Sequence, residues 1–222
     1  NAPFSLASAS TVVPSRGCSS RLNSTICFFC FTMTGTISTS KPPVFWAASA
    51  CCREAAKLLV EGFLMGLSDE QIIPVKADAE ALPFEPDFFD AVVSTDSYNY
   101  FGRDPRYLDE KLLPFVKPGG WIYIAIPGMK RDCHDRLPPE LLLSWTAEQM
   151  DYMHDTAYWA NIVSQSRNCE VVEVCEMESN DEVWADWLRQ ENEYAVGDRK
   201  SMEAGAGKYL NFIKIVLRKK AD

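Results

Sequence analysis

The chain has 222 residues, 47% of them hydrophobic and 24% charged, which suits one globular α/β domain with a sizeable core and leaves little room for a second. Its formal net charge of −9 argues against nucleic acid or an anionic membrane as the main partner, because both demand basic surface. No apolar run approaches the ~18 residues of a spanning helix, so no membrane span is expected.

The average conceals a break. Of 22 basic and 31 acidic residues, residues 1–60 hold five basic ones (Arg16, Arg21, Lys41, Arg53, Lys57) and a single acid, Glu54. Ser and Thr crowd the first forty positions, and five of the eight cysteines precede residue 53. The composition draws a boundary between an atypical, irregular segment, 1–52, and an α/β domain, 53–222. Three readings of the first segment stand side by side: a targeting peptide, which is typically Ser-rich, Arg-bearing and acid-poor; a divergent but folded part of the domain; or a stretch translated in the wrong frame. Cys27 and Cys30 form a lone CxxC with no second pair or histidines at zinc-site spacing, so no metal site is expected. Cys133, Cys169 and Cys175 read as isolated thiols of a reducing compartment, the cytoplasm.

Taken in chain order, "REAAKLLVEGFLMG" places Ala56, Leu59 and Phe63 at helical spacing before Gly66. "QIIPVKAD" is a short strand ending at Asp78, and "FDAVVSTD" a second, continuously apolar as in a strand buried on both faces. "GRDPRYLDEKLLPFV" predicts a helix with Asp104 as N-cap and Pro105 at the first helical position. "KPGG" predicts a turn before a third strand, "WIYIAIPG". A loop and short helix follow in "RDCHDRLPPELLLSW". "TAEQ" then forms a capping box from Thr146 to Gln149 that opens a helix through about Val163, with His154 inside it. "CEVVEVCEME" is a strand, "NDEVWADWLRQENEYA" a helix capped by Asn180, and "KYLNFIKIVLRK" a final strand. Strands alternating with helical crossovers of a dozen or more residues imply a mostly parallel sheet with helices on both faces.

In their order, "ADAEALPFEPDFFDAVVS", "LLPFVKPGGWIYIAIPG" and the two closing strands resemble the class I S-adenosylmethionine-dependent methyltransferases. Within these, the similarity is to the branch of quinone-biosynthesis and cyclopropane-fatty-acid-synthase-like proteins. The motifs cover residues 66–128, and the order of elements extends the resemblance to the end, where "NEYAVGDRKSMEAGAGKYLNFI" is similar to the tail of that branch. The implied fold is a Rossmann-like sheet, mostly parallel, with an antiparallel C-terminal strand. The implied cofactor is S-adenosyl-L-methionine, and the implied reaction is methyl transfer to a small-molecule acceptor.

By the resemblance, Asp78 accepts a hydrogen bond from the adenine amine, Ala79 offers its backbone amide and Leu82 walls the ring; the alternative for Asp78 is a turn or cap residue. Ser94, Thr95 and Asp96 line the methionine side. Tyr98 and Tyr100 stand at the mouth of the site, or else pack against a helix; an aromatic face there suits a sulfonium. His134, in a loop after the third strand, and Tyr194, in an acid–aromatic run with Trp184, Trp187 and Glu193, are candidates facing the acceptor, against the plainer readings of solvated loop and core stripe. The family's glycine-rich loop and ribose-binding acid are not recognisable: "TICFFCFTMTGTIS" holds one glycine, Gly35, and no acid follows "VFWAAS" before Glu54. A fold that has kept its shape as a non-catalytic binding or scaffold protein is therefore the alternative function. A nicotinamide dehydrogenase is disfavoured, because no G-x-G-x-x-G occurs.

Overall fold

The computed structural model describes the backbone of residues 25–29, 44–48 and 72–221, and the side chains of 77–221. The strands are β1 (Thr25–Phe29), β2 (Val44–Ala48), β3 (Ile72–Lys76), β4 (Phe89–Thr95), β5 (Val116–Met129), β6 (Cys169–Glu176) and β7 (Leu210–Lys219). They form one seven-stranded sheet in the order β3-β2-β1-β4-β5-β7-β6. From β3 to β5 every neighbouring pair is parallel, and β7 runs antiparallel to both β5 and β6. The fold is thus the Rossmann-like sheet with a reversed last strand that the sequence implies. Strands β1 and β2 come from the Ser/Thr/Cys-rich first segment, so the sheet crosses the compositional boundary at residues 52–53. The helix predicted over residues 53–66 lies outside the described residues.

Alternation along the strands builds the core. Ile122, Ile124 and Ile126 of β5 and Ile213, Ile215 and Leu217 of β7 share a face with Phe89 and Val92 of β4. Leu108, Leu112, Trp159 and Val163 cover that face; each such buried side chain contributes roughly 1.5–3 kcal/mol. A second cluster, with Met129, Leu141, Trp145, Met150, Trp184 and Leu210, closes the carboxyl end of β5.

The segment predicted as one helix after Gly102 changes pitch twice. Asp104 is the N-cap, accepting from the Arg106 amide, and Pro105 opens the α-helical turn Pro105–Tyr107 (α2); another single-turn helix, α1 (Tyr98–Phe101), precedes it. A π-turn, Leu108–Leu112, and a 3₁₀ turn, Leu113–Phe115, follow. Pro114 has no amide to continue the ladder.

"KPGG" proves to be a bulge inside β5 rather than a turn ahead of it. Val116 pairs with Phe89 and Trp121 with Ala91, so the register slips between them. Gly119 takes φ 76°, a left-handed angle that costs glycine little. A Cβ on Gly120 would lie 2.7 Å from Val116 Cγ1 and 2.8 Å from the Lys117 carbonyl.

Two long helices predicted downstream are each broken in two. The capping box of Thr146 and Gln149 is present, yet it opens only Ala147–Met150 (α3). The chain then crosses the end of β5, where the Met129 amide donates to the His154 carbonyl at 3.0 Å. A Cβ on Gly128 would stand 2.6 Å from that carbonyl, so the crossing needs glycine. Asp155 then caps a second helix, α4 (Thr156–Val163), and His154 lies in the crossing rather than mid-helix. Further on, α5 (Asn180–Leu188) has Ser179, not Asn180, at its N-cap. Arg199 closes its far end by donating to the carbonyls of Leu188 and Gln190. Asn192 starts α6 (Glu193–Glu203), its side chain accepting from the amides of Tyr194 and Ala195. No helix among the described residues is long and apolar enough to cross a membrane.

Candidate functional site

Strands β3, β2, β1 and β4 end level with one another: Lys76 pairs with Ala48, Ala47 with Phe28, and Phe29 with Thr95. The strand order reverses between β1 and β4, and in open α/β sheets ligands bind outside the carboxyl ends at such a point. The chain leaving β3 and the chain leaving β4 both emerge at this edge.

After β3, Asp78 is exposed, and its Oδ1 accepts the Glu80 amide at 3.0 Å while the Ala81 amide returns to the Asp78 carbonyl. The carboxylate is therefore held in a turn at the strand end, with its face toward water. Ala79 is buried, and its carbonyl accepts from the Tyr107 hydroxyl at 2.8 Å, which ties this loop to α2. Leu82 belongs to the main core with Phe84 packed beside it.

After β4, Ser94 and Ser97 share a buried hydroxyl–hydroxyl hydrogen bond of 2.8 Å. Between them Asp96 adopts φ 49° and donates its amide to the Ala125 carbonyl at 2.8 Å. Aspartate tolerates this left-handed angle better than most residues. Burial, reinforced by the charge of Asp198, pushes the Asp96 carboxyl up to about 7. Asp198 comes from α6; burial raises it as well, while the Trp187 indole donates to its Oδ2 at 2.9 Å. Tyr194 lies one turn earlier on the same helix and is exposed.

One expectation changes here. Tyr98 is not at a mouth: its ring is 1% exposed and packs edge-on to Phe101 and Tyr107 and against Trp159. Its hydroxyl is buried without a hydrogen-bond partner, and burial drives its pKa upward, both unsuited to proton transfer. Gly102 lies under this ring, where a Cβ would fall 2.1 Å from Tyr98 Cε1. Tyr100, by contrast, is exposed and sits 5.0 Å from the Tyr152 ring, over which Arg103 lies at 4.3 Å.

His134 occupies a 3₁₀ turn, His134–Arg136, beyond β5. Both ring nitrogens are engaged, Nδ1 with Asp132 Oδ1 at 2.9 Å and Nε2 with the Met150 carbonyl at 2.9 Å. Burial opposes its charged form, but the Met150 carbonyl and Asp132 outweigh that and hold its pKa above the ordinary imidazole value. His154 is held below that value, chiefly by burial.

The structure thus brings Asp78, Ala79, Ser94, Thr95 and Asp96 to one sheet edge, with Tyr100 at its rim, and sets Leu82 and Tyr98 into the core. Trp184 packs with Trp145 and Phe212, as a core stripe would, whereas Trp187 supports Asp198. Asp198 is not marked as a site residue by the sequence, since an acid in the middle of a polar helix carries no local signal. The positions of the glycine-rich loop and the ribose acid lie outside the described residues.

Residues 48–124 match the family model described as a methyltransferase domain. No curated protein sequence matches the chain. Among solved structures it is similar to a Galdieria sulphuraria protein described as a sarcosine dimethylglycine methyltransferase, with 13% identity and a TM-score of 0.63 over 90% of this chain and 80% of that one. It is similar to geranyl diphosphate C-methyltransferase from Streptomyces coelicolor A3(2), at 11% identity and TM-score 0.61 over 89% and 71%. It is also similar to the [4+2]-cyclase SpnF, at 14% identity and TM-score 0.59 over 90% and 75%. The fold is that of the class I methyltransferases, and the same scaffold in the cyclase shows why the chemistry must be argued from the site.

Proposed function

We propose that this protein is an S-adenosylmethionine-dependent methyltransferase acting on a small-molecule acceptor. The observation that carries the reading is the reversal of strand order between β1 and β4, with Asp78 and Asp96 at the carboxyl ends of the strands beside it. The methyltransferase-domain match over residues 48–124 supports it. The residues fit the cofactor's chemistry. The exposed Asp78 carboxylate can accept from an adenine amine, and the acids Asp96 and Asp198 suit a cationic group.

S-adenosylmethionine, when bound, supplies an electrophilic methyl group on a sulfonium. The protein's share is positioning and desolvation, since near-attack alignment is worth ~7–11 kcal/mol. Asp78 and the Ala79 backbone hold the adenine end. Ser94 and Thr95 present the end of β4, fixed by the Ser94–Ser97 bond, and Tyr100 offers its ring at the rim. An acceptor that must lose a proton needs a base poised near the working pH. Asp96, at about 7, fills that role better than His134, whose nitrogens are both occupied, or Tyr98, which is buried. Tyr194 and Asp198 on α6 face the acceptor. The reading includes a cytoplasmic setting, in keeping with the free thiols of Cys133, Cys169 and Cys175.

Titration calorimetry with S-adenosylhomocysteine tests this. The expected result is one-to-one binding with a rise in Tm, and a loss of roughly tenfold or more in affinity for Asp78→Ala, as removal of a hydrogen bond to a charged group implies. Absence of both heat and thermal shift would refute the reading.

A further inference from the structure

Asp132, His134 and His154 form a second constellation at the same sheet edge, which the methyl-transfer reading does not use. Among the described residues, an Asp132 carboxylate oxygen, one nitrogen of His134 and one of His154 all lie within 4.8 Å of one another. The two imidazoles address the two oxygens of one carboxylate: His134 Nδ1 lies 2.9 Å from Oδ1, and His154 Nδ1 lies 3.4 Å from Oδ2.

The outer contacts fix the rings. The Met150 carbonyl can only accept, so His134 Nε2, 2.9 Å away, carries a hydrogen. In the neutral ring this leaves the Nδ1 lone pair directed at a carboxylate oxygen. Two lone pairs at 2.9 Å need a cation between them, either a proton or a metal. A backbone carbonyl on the far nitrogen is also the usual outer support of a metal-binding histidine. His154 is stacked on Tyr158 at 3.6 Å between centroids, and the two imidazole centroids stand 4.7 Å apart. The backbone is anchored too: the Asp132 amide donates to Asp155 Oδ2, and the Met129 amide to the His154 carbonyl. His154 is buried while Asp132 is exposed, so the cluster has a rigid floor and a face open to solvent.

We propose that Asp132, His134 and His154 are the protein ligands of a divalent transition-metal site, of the zinc class, at the carboxyl end of β5. Two imidazole nitrogens and one carboxylate select zinc, cobalt or nickel over magnesium and calcium, which favour all-oxygen shells. Three protein ligands leave a fourth position for water or an oxygen of a bound molecule. The site stands independently of the methyltransferase reading, because it involves none of the residues assigned to the cofactor.

Cobalt(II) titration of chelator-treated protein, followed by visible absorption, tests the proposal. Cobalt reports its ligands, so binding to any of the chain's eight cysteines is distinguished by thiolate charge-transfer bands. The expected result is one equivalent bound, with d–d bands and no thiolate band, and competed by zinc. His134→Ala and Asp132→Asn should each weaken binding by at least the ~10- to 100-fold that loss of an outer partner alone costs. Asp132 is exposed, so the Asp132→Asn variant keeps the test open if a histidine variant fails to fold; circular dichroism in chelator verifies the fold of each. No cobalt band, a band with thiolate character, or binding unchanged in folded Asp132→Asn would overturn the site and leave the cluster held by a proton.

Discussion

Asp96 combines a left-handed backbone with a desolvated carboxylate facing Asp198, and the two features can be separated by one substitution. Asn tolerates the same φ but carries no charge. Because the folded-state pKa is raised to about 7, the native state holds a proton that the unfolded chain has already released, so stability falls as pH rises from about 4 to about 7. Asp96→Asn removes that penalty. Its stability relative to the parent should grow across the window by on the order of 1–3 kcal/mol, read from denaturant midpoints at both ends. If methyl transfer needs a base, activity should fall in the same variant. Gly102 gives a second test. A Cβ there would meet the Tyr98 ring at 2.1 to 2.4 Å, so Gly102→Ala should destabilise by roughly 1–3 kcal/mol, as overpacking does, measured by urea unfolding. At this scale the sequence reveals what is local. Asp104 and the Thr146–Gln149 box act on amides two and three residues away, and their residue types announce it. Asp198 with Trp187, and Asp132 with His154, join partners from different elements, and nothing in either segment marks the pairing.

At the scale of elements, the strands were legible because β4 and β5 are near-continuous apolar runs between turn residues. The helix breaks were not. "TAEQMDYMHDTAYW" satisfies helical periodicity throughout, but the Met150 carbonyl is bound by His134, and His154 is required against Gly128; tertiary contacts outweigh propensities of a few tenths of a kcal/mol per residue. The second break depends on Asn192, whose side chain accepts two amides at the start of α6. Asn192→Ala should cost about 1 kcal/mol in unfolding free energy while Asn192→Asp should not, because a carboxylate caps equally well. An equal loss in both variants would remove the cap from the account of how α6 holds Asp198 against Asp96.

For the molecule as a whole, the sheet and its reversed last strand followed from the order of apolar runs and crossovers. The first two strands, Thr25–Phe29 and Val44–Ala48, are drawn from the Ser/Thr/Cys-rich first segment, where composition alone marked no domain. The cofactor edge was half legible, because only the loops after β3 and β4 carry the residue types the chemistry asks for. The central claim is that an adenosyl ligand lies across the carboxyl ends of β3 and β4 with its purine amine on Asp78. A crystal structure with S-adenosylhomocysteine tests it most directly. The Asp78 carboxylate should lie within hydrogen-bond distance of the exocyclic amine, and the thioether sulfur near Ser94–Asp96. A ligand bound elsewhere on the protein, or bound here with Asp78 turned away from the purine, would contradict it.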